Sequence, residues 1–189
     1  MENSKFEGLL IVSELESKNI SRDKIYKFIK DNNYEKVGPG IYVPKNELTD
    51  ELSVLHKRCP KGIFSHDEAL YHYGLIDREP LKHTITVYSG FNCSRLKNEN
   101  CKFYYVDKSL LEMGKKVVTN NFGNAVPMYD IDRTIVDMVR NRRQFEIQDF
   151  TTALRTYAKH TDKNLKQLYD YAKEFKVEKI IREYLEVLI

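Results

Sequence analysis

From Ile20 to Asn32 the apolar positions recur at helical spacing, with Ile20 followed by Ile25, Phe28 and Ile29 in one narrow stripe. The spacing predicts a helix that Ser21 caps and that runs to about Asn32. Ahead of it, Ser13 with Glu16 fits a capping box, predicting a short helix over residues 14–18 that ends at Asn19. After it, two β-prone runs within residues 34–44 flank Gly38-Pro39-Gly40, which predicts a hairpin. Short helix, tight turn, longer helix and hairpin is the order of a winged helix-turn-helix. In such a module the second helix enters the major groove and the hairpin lies near the phosphate backbone. Only about seven residues precede Gly8, so the usual first helix is either very short or supplied by packing from later in the chain.

The pattern changes past Pro44. Residues 49–58 read as an amphipathic helix with Leu52 and Leu55 on its buried side, broken by Cys59-Pro60-Lys61-Gly62. Ser65 with Glu68 repeats the capping-box spacing and predicts a helix to about Tyr73, stopped by Gly74. Residues 84–88 and 102–106 read as strands, as do Val117-Val118 and residues 125–129, these last two joined by a turn-rich link at 120–124. Helical patterns then cover 131–140, 147–157, 165–175 and 177–188. The expected fold class is α+β. A winged helix-turn-helix domain spans 1–46, and a second domain with a small sheet and several helices spans 47–189.

Charge adds a candidate surface to the first domain. At about 100° per residue, Asp23, Lys27 and Lys30 fall opposite the apolar stripe, Tyr26 lies at its flank, and Arg22 and Lys24 border the same surface. With Ser21 at the helix start and Lys36 on the hairpin, these residues form the expected DNA-binding set. The acids Asp23, Asp31 and Glu35 dilute the set. Residues 1–45 hold eight Lys/Arg against seven Asp/Glu, and the whole chain has a formal net charge of only +3. A solvated helix face is therefore the competing reading.

Composition narrows the class further. The chain is 41% hydrophobic and 31% charged, a globular rather than a disordered balance. It has no apolar run of membrane-spanning length, and Met1-Glu2-Asn3-Ser4-Lys5 leads into no long apolar stretch. Cys59, Cys93 and Cys101 form no CxxC pair, which points to reduced thiols and a cytoplasmic location.

Four stretches together resemble the AbiEi antitoxin family. Ile20-Ser21-Arg22 followed by Val37-Gly38-Pro39-Gly40-Ile41-Tyr42 is similar to the family's recognition helix and wing, with Pro39 in place of the basic residue often found between the glycines. Phe64-Ser65-His66-Asp67-Glu68-Ala69-Leu70, Gly74-Leu75-Ile76-Asp77 and Pro80 resemble a second signature. Val126-Pro127-Met128-Tyr129-Asp130 and the run from Asp132-Arg133-Thr134 to Arg140 together resemble a further block of the family, with Asp132 where glutamate is usual. The resemblance implies an N-terminal winged helix that represses its own operon at inverted repeats. It also implies a C-terminal domain that counteracts a neighbouring nucleotidyltransferase-like toxin in abortive infection of phage-attacked cells, with direct contact to that toxin left open.

His66 and His72, six apart, lack the spacing of helical metal ligands, so His66 is expected to hydrogen-bond near a helix start. Asp130, Asp132 and Asp137 could suggest a metal-dependent nuclease. However, Arg133 and Asp137 are four apart and Asp137 and Arg140 three apart, so ion pairing on one helix face is the simpler reading. The chain carries no Gly-rich phosphate loop, GxSxG or HExxH motif, so neither enzyme activity, a cofactor nor a metal is expected. The strongest basic tract comprises Arg140, Arg142 and Arg143 with Arg155, Lys159, Lys163 and Lys166. It is a candidate surface for an acidic toxin or for RNA bound by it, the last four sharing a face only if one helix runs through 160–162. Operator DNA, the toxin and self-association on DNA are the expected partnerships. The alternatives are an interaction scaffold whose winged helix does not bind DNA, and the nuclease.

Overall fold

The computed structural model describes residues 8–96 and 100–186. It is a mixed α+β protein with two sheets and eight α-helices among the described residues. It divides into two units. One is the chain through Pro60 together with Asn120–Asn124, and the other is Lys61–Thr119 with the chain from Ala125 onward.

In the first unit, strand β1 (Leu10–Ile11) passes straight into helix α1 (Val12–Ser17). The Ser13–Glu16 capping box does not form. The N-cap is Ile11, and the first helical amide, that of Val12, donates to the Gly40 carbonyl at 2.9 Å. The helix thus starts two residues earlier than the capping box implied, and the neighbouring hairpin satisfies its first orphan amide. Asn19, at φ 61°, turns the chain into helix α2 (Arg22–Asp31). Ser21 stands at the cap position as expected, although its hydroxyl makes no capping bond. Strands β2 (Tyr34–Gly38) and β3 (Ile41–Pro44) form the hairpin around Pro39-Gly40, Gly40 at φ 70° supplying the turn. β3 also pairs with β1, giving an antiparallel sheet in the order β1-β3-β2.

The core of this unit gathers Leu10, Val12 and Leu15 with Ile25 and Ile29, flanked by Ile20, Phe28, Tyr34 and Tyr42. The apolar stripe read from α2 is therefore what seats that helix. Helix α3 (Glu51–Arg58), which the sequence groups with the second region, belongs here too. It packs on β2, and Lys57 Nζ pairs with Glu14 Oε1 of α1 at 2.6 Å. Asp50 caps it by accepting from the Ser53 amide at 3.0 Å. The same carboxylate accepts from Ser53 Oγ (2.6 Å), Asn120 Nδ2 (2.8 Å) and Asn124 Nδ2 (2.7 Å), which ties the turn at 120–124 into this unit. Burial opposes its ionisation, but the bonds from Ser53, Asn120 and Asn124 hold its carboxyl below the ordinary value. Any helix ahead of Gly8 lies outside the described residues.

The second unit is built on a five-stranded mixed sheet, β6-β5-β4-β8-β7. Its strands are β4 (Ile63–Phe64), β5 (His83–Tyr88), β6 (Cys101–Val106), β7 (Lys115–Thr119) and β8 (Ala125–Tyr129). The two-residue β4 lies at the centre of the sheet, antiparallel to β5 and parallel to β8. Helix α4 (Asp67–His72) follows β4, and the Ser65–Glu68 capping box is replaced by tertiary bonds. The Glu68 amide donates to Thr84 Oγ1 at 2.9 Å, while Ser65 Oγ pairs with Thr86 Oγ1 at 2.7 Å. Strand β5 thus supplies the cap.

Helix α5 (Ile131–Arg140) is the hub of this unit, with every residue from Ile131 to Val139 buried. Helices α6 (Ile147–Lys159), α7 (Leu165–Glu174) and α8 (Glu178–Glu186) surround it, contributing Phe150, Leu154, Tyr157, Leu168, Ile181 and Leu185 to the core. Arg133 is wholly buried within α5. Its guanidinium lies 4.1 Å from the Tyr129 ring and 4.0 Å from the Phe175 ring. Arg133 Nε bonds Asp137 Oδ2 at 3.1 Å, and Nη1 donates to the Leu110 and Met113 carbonyls at 3.1 and 2.6 Å. The chain passes so close at Gly114 (φ 77°) that a Cβ there would stand 2.6 Å from Arg133 Cβ.

Candidate nucleic-acid interface

On α2 the buried pair Ile25 and Ile29 points inward, which leaves Asp23, Lys24, Lys27 and Lys30 exposed on the other side. The helical wheel drawn from the sequence is thus reproduced in three dimensions. Ser21 and Arg22 are exposed at the helix start, and Lys36 is exposed on β2 of the hairpin. Tyr26 is 46% exposed and meets Tyr42 of β3 edge to face, ring centroids 6.2 Å apart. Partial burial and the nearby Tyr26 raise the Tyr42 hydroxyl above its ordinary pKa, so this aromatic bridge from helix to hairpin stays neutral.

The electrostatics are not uniform. Arg22 is committed to Glu16 through Nε–Oε1 and Nη2–Oε2 hydrogen bonds, so it clamps α1 to α2 and offers less charge to a ligand than its position suggests. Lys27 and Lys30 are the cations most squarely on the outward face.

Arg58 was not legible as part of this surface. The last residue of α3, it brings its side chain across Gly38, where a Cβ would stand 3.2 Å from Arg58 Cδ. The glycine is thus a seat for a cation delivered from another element, beside the position where Pro39 carries no charge. A glycine marks such a seat in a sequence without saying which side chain fills it.

The second unit separates the basic tract into parts. Helix α6 ends at Lys159 and α7 begins at Leu165, so Arg155, Lys159, Lys163 and Lys166 do not share one helix face. His160 (ψ 136°) breaks the helix, and Lys163 Nζ folds back onto the His160 carbonyl at 3.2 Å. Arg155 and Lys159 line a shallow groove with Thr156, His160 and Thr161. Arg140, Arg142 and Arg143 line another, and Lys166 is exposed on α7.

The aspartates of the α5 block do not converge. Asp130 caps α5 at the Arg133 amide (2.8 Å) and accepts from Gln167 Nε2 (2.7 Å) and Tyr171 OH (3.0 Å). Asp132 accepts from Tyr157 OH at 2.7 Å and from the Asn164 amide at 3.0 Å. Burial pushes the Asp137 carboxyl up against the opposing pull of Arg133. Arg140 does not close the expected pair with Asp137. Its guanidinium lies 5.4 Å from the Phe175 ring instead. Asp130 and Asp132 are thus occupied in docking other helices on α5, while Asp137 is paired with Arg133 of its own helix.

His66 is buried, with φ 51° and ψ −123°, a strained backbone for a residue other than glycine. Its ring stacks on Tyr104 at 3.3 Å, with Nδ1 against Ser65 Oγ (2.9 Å) and Nε2 against Asn141 Nδ2 (3.1 Å). Burial, with Arg133, Lys102 and Arg140 adding to it, holds its pKa well below the ordinary value. The folded state therefore keeps His66 neutral while the unfolded chain takes up a proton below about pH 6.5, so stability present above that pH falls as the medium is acidified. The expected loss approaches about 1.4 kcal/mol per pH unit for this one group. His66→Asn is expected to be less stable than the parent at pH 7, yet to lose less on going to pH 5. Thermal melts at both values read the difference, and equal acid sensitivity of the two proteins would refute it.

No family model matches the chain, and no curated protein matches it. Among solved structures it is similar to the crystal structure of the RV2827C protein from Mycobacterium tuberculosis, with a TM-score of 0.62, 11% identity, and coverage of 95% of this chain and 76% of that one. At that identity the likeness shows a shared fold. Among the described residues no helix is long and apolar enough to cross a membrane. The chain is a mixed α+β protein with a solved structural counterpart spanning nearly its whole length.

Proposed function

We propose that this protein is a DNA-binding autorepressor and antitoxin of the AbiEi type, reading operator DNA with α2 and the β2–β3 hairpin. The observation that carries the reading is the outward face of α2. Lys27 and Lys30 stand exposed opposite the buried Ile25 and Ile29, beside a hairpin bearing Lys36. The sheet order β1-β3-β2, with two short helices between β1 and the hairpin, supports the winged helix-turn-helix reading. In that reading α3 braces α1 through Lys57 and Glu14, and Arg58 joins Lys36 as a backbone contact. Two copies on an inverted repeat would occupy symmetric half-sites. A reporter driven by the fragment upstream of the protein's own gene should be repressed by the protein, and unchanged expression would count against the reading. A nucleotidyltransferase-like reading frame immediately downstream is the expected genetic setting.

The antitoxin half rests on the sequence resemblance, and the second unit offers Arg155 and Lys159 as its candidate contact. Arg155→Glu with Lys159→Glu is expected to impair rescue of toxin-expressing cells while leaving operator binding intact. Full rescue by that double variant would remove the contact. A nuclease is disfavoured by the separate partners that Asp130, Asp132 and Asp137 have taken.

A further inference from the structure

At the end of α5 the chain places three guanidinium groups around one hollow. Arg140, Arg142 and Arg143 line a surface groove with Gln144, and Val177 and Ile180 at the start of α8 form an apolar wall. All three arginines are exposed. Asp137 and Glu146, the carboxylates nearest in sequence, and Glu178, next to Val177, are engaged elsewhere: Asp137 on Arg133 at 3.1 Å, Glu146 beside Arg78 at 3.7 Å, and Glu178 on Arg182 at 3.2 Å. Among the described residues none of the three arginines forms a salt bridge. Arg140 is braced over the Phe175 ring, so its head group is held at the groove.

We propose that this groove binds the phosphate end of a nucleotide or an inorganic polyphosphate. A carboxylate brings one negative charge and would leave most of the groove's positive charge uncompensated. A terminal phosphate brings close to two charges and three acceptor oxygens, and guanidinium forks match its geometry. The wall of Val177 and Ile180 gives a sugar or base a dry surface to lie on, which an inorganic chain would not use. The site belongs to the second unit and involves no residue of α2, so it does not depend on DNA binding.

Isothermal titration of the full chain at low salt tests it, with ATP, sodium tripolyphosphate and adenosine as probes. ATP and tripolyphosphate should bind saturably and adenosine should not. ATP binding tighter by about tenfold would identify a nucleotide as the ligand, and equal affinities would identify the inorganic polyphosphate. Arg142→Glu with Arg143→Glu should weaken binding at least about tenfold with an unchanged circular dichroism spectrum, whereas Lys27→Glu with Lys30→Glu should bind like the parent. No saturable binding, binding that survives the Arg142/Arg143 change, or binding lost with Lys27/Lys30 would each overturn the proposal. A failed titration beside a retained operator complex would separate this site's failure from that of the proposed function.

Discussion

Lys27→Glu combined with Lys30→Glu is expected to abolish the complex with operator DNA in a gel shift while leaving the fold intact. Both side chains are exposed on the outward face of α2, and the helix is seated by Ile25 and Ile29, which the variant does not touch. Each lysine on a phosphate releases counterions when it binds, so losing two contacts should flatten the salt dependence by about two in log–log slope. Reversal rather than removal adds repulsion, and the combined loss should be on the order of 100-fold at low salt. Arg22→Ala should act differently. Its guanidinium is bound to Glu16, so the change loosens the α1–α2 clamp more than it removes a phosphate contact. A double lysine variant that shifts the fragment as the parent does would show that this face is only a solvated surface.

The largest stability effect is expected at Arg133→Met. The native side chain is wholly buried, lies between the Tyr129 and Phe175 rings, and holds two carbonyls of the segment after β6. Methionine fills much of the volume but leaves Asp137, itself buried, without its cation. Breaking one side of a buried pair costs about 3–5 kcal/mol, which for a chain of this size lowers the melting temperature by about 10 °C. Replacing both members, Arg133→Met with Asp137→Leu, should recover part of that loss because no buried charge then stands alone. Thermal melts followed by circular dichroism check this, and a parent-like melt for Arg133→Met would contradict the account.

How far the chain could be read in advance varies with where the information lies. Helix α5 falls on the residues its apolar period marks, and α6, α7 and α8 nearly so; the last three are buried on one side, and such a helix writes that side into its own sequence. Strand β4 escaped because two residues cannot display an alternation, although the sheet is centred on them. The two capping boxes had correct spacing but wrong partners. The first helix starts at Val12, ahead of its box, with its amide met by Gly40, and the Glu68 amide is met by Thr84; both partners are long-range neighbours that local spacing does not encode.

The candidate interface divides in the same way. The outward face of α2 follows from helical geometry alone, so its exposed residues were legible. Arg58 was not, because its position depends on α3 reaching Gly38 across some twenty intervening residues. The pairing of Arg133 with Asp137 was legible from their separation of four, but its burial was not, because both flanks of α5 are covered by elements distant in sequence. Burial turns an exposed pair worth a few tenths of a kcal/mol into a packing element of the second unit.

The most direct measurement is fluorescence anisotropy of the full chain on the fragment upstream of its own gene, against a scrambled fragment of equal length, across a salt series. Tighter binding to the native fragment, an affinity that falls steeply with salt, and competition by the native sequence alone are expected. Equal, weak binding to both fragments, unchanged in Lys27→Glu with Lys30→Glu, would contradict this expectation.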